Sequence, residues 1–208
     1  MKQKSGERTL LASVLLSSPG PLVVGAGLFL GRSATQYADF VRRTAELAAI
    51  IVSWIVFRML HRGGGPEGKR KIRLESIANT CVGAAMCLSG AVMMLLSLFS
   101  NGREKGNVIP GLVIAVLGVA ANTWFWLRYR KLNREKPDAI LAVQSRLYRA
   151  KSLVDFCVTA ALLTVAAAPG TEAARYMDLI GSVIVAAYLA ASGWMTLRGN
   201  RKRHVQAE

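Results

Sequence analysis

Long apolar stretches alternate with short polar ones along the whole chain. Reading that alternation predicts six apolar helices, at about 9–30, 35–60, 74–100, 108–129, 144–168 and 177–197. Each provides the ~20 residues that a ~30 Å hydrocarbon core requires. The first carries Pro19-Gly20-Pro21 in its middle and is expected to bend there, because proline removes a backbone donor and crowds the preceding turn. Its basic start resembles a signal peptide. The apolar run continues to Leu30, however, long enough for a retained span rather than a cleaved leader. Gly31-Arg32-Ser33 is a tight connection that makes the first two helices a hairpin, and Gly63-Gly64-Gly65-Pro66 marks a loop.

Composition agrees with this pattern. Of 208 residues, 52% are hydrophobic, and the formal net charge is +15. So basic a chain could bind nucleic acid, but no basic patch interleaved with aromatics accompanies the charge. Lys and Arg instead gather in the segments between alternate helices. With the N-terminus inside, twenty fall on the cytoplasmic face against four on the other (Arg32, Arg103, Lys105 and Arg175). That imbalance predicts both termini in the cytoplasm. The expected organisation is a cytoplasmic N-terminus (1–8), a six-helix transmembrane domain (9–198) and a basic cytoplasmic tail (199–208). The fold class is an all-α membrane protein.

Cys81, Cys87 and Cys157 lie in apolar segments without a CxxC partner, so neither a disulfide framework nor a zinc knuckle is implied. No Ser/His/Asp or Cys/His set and no phosphate-cradling glycine loop is evident, which argues against an enzyme. No cofactor is expected. His61 and His204 fall in the predicted cytoplasmic loop and tail and are expected to be solvated.

Charges inside the predicted spans are the candidate chemistry. Asp39, Arg42, Arg43 and Glu46 share one face of the second span, and Lys151 and Asp155 lie one turn apart on the fifth. This spacing suggests the pairs Asp39–Arg43, Arg42–Glu46 and Lys151–Asp155. A lone charge near the bilayer centre costs about 2.5–3.5 kcal/mol on insertion scales, so pairing is expected. Such charges either line a substrate or proton path between spans 2 and 5, or lock the two helices together.

Several fragments carry a family resemblance. They are Ser33-Ala-Thr-Gln-Tyr-Ala-Asp39-Phe-Val-Arg42-Arg-Thr-Ala-Glu46-Leu47; Glu75 and Asn79 after a basic loop; Gly118-Val-Ala-Ala-Asn122; Tyr176-Met-Asp178-Leu-Ile-Gly181; and Ser192-Gly193-Trp194. In order and spacing they resemble the transmembrane domain of the cation diffusion facilitator family, exporters of zinc and related divalent metals in exchange for protons. The likeness runs from about residue 9 to residue 198. It implies a six-helix bundle, a homodimer and, by analogy, a bacterial inner membrane. It also implies a transport site built from an H/D-x-x-x-D pattern on span 2 and another on span 5.

Here those four positions read Arg42, Glu46, Lys151 and Asp155, flanked by Asp39, Arg43, Asn79 and Asn122. A guanidinium cannot ligate a metal, and an ammonium ligates only after losing its proton. No metal site is therefore expected. Nor is the cytoplasmic metal-sensing domain of many family members expected within these 208 residues. Two readings follow: a divergent transporter whose ion substrate is open, or a non-transporting interaction or assembly protein of the same fold with ion pairs in the metal's place. The lipid bilayer is the partner common to both.

Overall fold

The computed structural model describes the backbone of residues 2–30, 34–61, 66, 68–99, 109–167 and 172–205. Among these, helix is the only regular structure. The seven helices are α1 (Lys2–Ser17), α2 (Pro19–Leu30), α3 (Ala34–His61), α4 (Gly68–Phe99), α5 (Ile109–Glu135), α6 (Ala139–Ala167) and α7 (Glu172–Val205). The first expected span is thus two helices. The break falls at Ser18, whose amide closes the end of α1 on the Val14 carbonyl at 3.0 Å before Pro19 opens α2.

The helices outrun the apolar stretches at their polar ends, and α7 continues to Val205 through much of the expected tail. Gly68 starts α4 with φ +59°, a left-handed conformation that L side chains rarely adopt. The α5–α6 corner is short because its polar groups are satisfied locally. Asp138 Oδ1 accepts from the amides of Ile140 (2.9 Å) and Leu141 (3.1 Å), capping α6, while Asn133 Oδ1 receives the Asp138 amide at 3.0 Å.

The closest packing joins α4 to α7. A Cβ on Gly193 would stand 2.7 Å from the Gly83 carbonyl oxygen, and one on Gly90 would stand 2.8 Å from that of Ala186. The two backbones touch, as small residues permit in membrane bundles. Gly83, Cys87, Ala186 and Ala190 are therefore in contact across this seam within one protomer. Asn200 extends the seam, its amide donating to the Ser76 carbonyl (2.8 Å) and Thr80 Oγ1 (2.8 Å).

Further pairs in contact are α5 with α6, α3 with α4, α6 with α7, and α1 with α3 and α5. Phe125, Tyr129 and Tyr148 stack at the α5–α6 contact, and Tyr129 donates to Ser13 Oγ on α1 at 2.8 Å.

The core is apolar, yet polar groups are buried in it and large apolar side chains cover the exterior. Gln144 and Ser89 are fully buried, whereas Leu16 (64%), Leu117 (64%), Phe156 (61%) and Trp194 (65%) are exposed. So broad an apolar exterior fits a lipid surface. By length and hydropathy alone, two described segments are apolar enough to cross a membrane, Ser5–Ala26 and Gly68–Leu95. The α3 and α6 helices carry the buried charges instead.

Candidate functional site

Glu46 sits midway along α3 and is 7% exposed. Across the helix contact its Oε2 lies 3.4 Å from Lys151 Nζ on α6, and its Oε1 accepts a 2.6 Å hydrogen bond from Ser89 on α4. Three helices therefore converge on one carboxylate. The ammonium of Lys151 also stands 5.3 Å from the Tyr148 ring centroid, one turn back on its own helix.

Asp155 lies one turn beyond Lys151 and takes a different partner. Its Oδ2 accepts a hydrogen bond from the amide of Asn122 on α5. Gly118, one turn before Asn122, makes room for it: a Cβ there would stand 2.7 Å from Asp155 Oδ2. A bond between Thr123 and Ser152 hydroxyls (2.6 Å) ties α5 to α6 beside this contact. Arg42 and Arg43 act electrostatically on both Glu46 and Asp155. Gly20 on α2 lies 3.3 Å, measured from a built Cβ, from Arg43 Nη1.

The structure couples the four transport-site positions expected from the sequence, Arg42, Glu46, Lys151 and Asp155, electrostatically. Lys151 acts on Asp155 along its own helix, as the spacing suggested, and also makes an ion pair across to Glu46 on α3. Asn122 joins the site. Asn79 is buried, and among the described residues its Oδ1 makes no hydrogen bond. Side-chain contacts of Asp39 lie outside the described residues, so the Asp39–Arg43 pair is not described.

Ser89 and Tyr148 were missed by sequence reasoning. Nothing in the local pattern of Ser89 distinguishes it from other buried serines. Tyr148 could have been found, since Tyr and Lys three residues apart share a helical face. His61 departs from the solvated expectation. Its ring stacks on Phe57 with centroids 4.1 Å apart, Nδ1 meets the Phe57 carbonyl at 2.9 Å, and Nε2 lies 3.5 Å from Asp138 Oδ2.

Among the described residues no three His, Cys, Asp or Glu side chains come together in a way that could hold a metal ion. The Lys151 ammonium stands beside Glu46, and the guanidinium groups of half-buried Arg42 and exposed Arg43 act on both acids from α3.

A helical bundle with an apolar exterior and a charged, hydrogen-bonded centre defines a membrane protein with an internal polar site. The family model of the cation efflux transmembrane domain matches residues 10–203, nearly the whole chain. The protein therefore belongs to the cation efflux family. A comparison with curated proteins finds no match.

Proposed function

We propose that this protein is a divergent transporter of the cation efflux fold that does not carry divalent metal through its α3–α6 site. The observation behind this reading is the Lys151 ammonium seated 3.4 Å from Glu46, where the family resemblance puts a metal ligand. A tethered cation occupies the acid that a mobile cation would need. A divalent ion ~4 Å from one such cation would be repelled by about 8 kcal/mol at an effective dielectric of ~20. Arg42 adds to that repulsion. The site is an ion pair between α3 and α6 with one carboxylate on each helix, suited to proton movement rather than tetrahedral coordination.

The same reading takes six rods, with α1 and α2 as one broken span, across a bilayer with both termini cytoplasmic. The Lys and Arg imbalance supports that orientation. A homodimer in a bacterial inner membrane follows by family analogy alone.

A second reading, a non-transporting assembly protein, is favoured by a specific observation. Both acids already have partners inside the protein, Lys151 and Ser89 for Glu46 and Asn122 for Asp155.

Proteoliposomes loaded with zinc-sensitive and pH-sensitive dyes separate these readings. Transport predicts zinc entry no faster than in empty liposomes, together with an ion-driven pH signal lost in Glu46→Gln. Neither signal would favour the assembly reading. Zinc entry that Glu46→Gln abolishes would contradict both.

A further inference from the structure

On α6, Gln144, Tyr148, Lys151 and Asp155 follow one another at intervals of four, three and four residues. At ~100° per residue these positions lie within a narrow arc, so one face of the helix is polar from its first turns to the charged centre. Gln144 and Tyr148 are both 0% exposed. The Tyr148 hydroxyl meets Ser17 on α1 at 3.3 Å. Among the described residues neither the amide nitrogen nor the amide oxygen of Gln144 makes a hydrogen bond. A fully buried amide without partners is costly, and in native proteins such groups are commonly satisfied by buried water.

Two other orphaned groups fall at a similar depth. From Glu46, Trp54 lies about 12 Å down α3, and from Ser89, Asn79 lies about 15 Å down α4, at ~1.5 Å per residue. Gln144 lies about 10 Å from Lys151 in the same direction, toward the end of the bundle where α3 finishes and α4 and α6 begin. Trp54 Nε1 and Asn79 Oδ1 also make no hydrogen bond among the described residues.

That end of the bundle holds a cavity of about 30 Å³. It exceeds the roughly 10–15 Å³ that a water molecule requires. Exposed Glu135 and Lys136 line it together with buried Leu132 and Leu141. Leu141 is less than one turn from Gln144 on α6.

We propose that water enters the bundle at this cavity and reaches the Lys151–Glu46 pair along the polar face of α6, with the Gln144 amide as its binding group midway. The ligand is water, held by neutral hydrogen-bonding groups, and the passage gives the ion pair a connection to one side of the membrane. This rests on the reading of Lys151–Glu46 as the functional centre and adds the route to it.

Radiolytic hydroxyl-radical footprinting of the purified protein tests the passage, because side chains beside ordered water are oxidised even when shielded from bulk solvent. Tyr148 should be oxidised well above Leu189, which is 1% exposed in the α4–α7 contact, after correction for intrinsic reactivity. In Gln144→Leu, and in Gln144→Met, which keeps the side-chain length, Tyr148 oxidation should fall several-fold. A native Tyr148 as silent as Leu189 would overturn the passage, and that comparison needs no variant. Tyr148 oxidised equally with and without the amide would overturn the role of Gln144. Labelling of Tyr148 does not depend on flux, so a dye assay without signal would remove the transport reading while leaving the passage standing.

Discussion

Removing the Lys151 side chain should harm the protein more than removing the whole ion pair. In Lys151→Ala the Glu46 carboxylate, 7% exposed, keeps its Ser89 hydrogen bond but loses the ammonium 3.4 Å away. Leaving one member of a buried pair uncompensated costs about 3–5 kcal/mol. Arg42 and Arg43 still act on Glu46, which points to the lower end, about 3 kcal/mol. At about 2–4 °C per kcal/mol for a chain of this length, the midpoint of thermal unfolding should drop by about 6–12 °C. The double variant Lys151→Ala, Glu46→Ala removes the orphan acid together with its partner and should recover most of that loss. Lys151→Ala, Asp155→Ala should recover less, because it leaves the Glu46 carboxylate without its ammonium, and Asp155 keeps the Asn122 hydrogen bond when Lys151 is removed. The assay is thermal unfolding in detergent, followed by the fluorescence of the four tryptophans. Equal midpoints for single and double variants, or rescue through Asp155 and not Glu46, would refute the pairing.

Other predictions concern packing and topology. Gly118→Ala should cost about 1–3 kcal/mol in thermal stability, since its Cβ would stand 2.7 Å from Asp155 Oδ2, and adding Asp155→Ala should relieve it. Gly193→Ala, which meets the Gly83 backbone at 2.7 Å, should loosen α4 from α7 and lower detergent stability. Gly199→Ala has nothing within 4 Å and should be neutral or stabilising, by up to about 1 kcal/mol from helix propensity. Reporter fusions after Arg62, after Arg134 and at Glu208 should report the cytoplasm and one at Asn101 the opposite face. A cytoplasmic signal at Asn101 would sink the orientation.

Helix positions were legible because apolar runs of spanning length carry a strong signal, and Pro19 announced the break between α1 and α2. The four charged positions were legible for a related reason, since ionisable side chains stand out in apolar surroundings. Their partners on other helices were not. Spacing along a helix reveals which groups share its face, so it suggested Lys151 with Asp155. Whether a charge also meets a neighbouring helix depends on packing, and here Glu46 on α3 and Asn122 on α5 were the groups in reach. Ser89 illustrates the same limit, because a serine in a small-residue run gives no sign of the carboxylate it will face. His61 was misjudged because it follows the apolar run of α3, while its stacking on Phe57 and contact with Asp138 come from the α5–α6 corner.

The claim that an internal cation fills the site is tested most directly by calorimetric titration of the purified protein with zinc, beside the double variant Arg42→His, Lys151→His. Native protein should give no saturable heat, and the variant, which restores four plausible ligands with Glu46 and Asp155, should bind zinc weakly. Saturable binding by the native protein that is lost in Glu46→Ala would contradict the account.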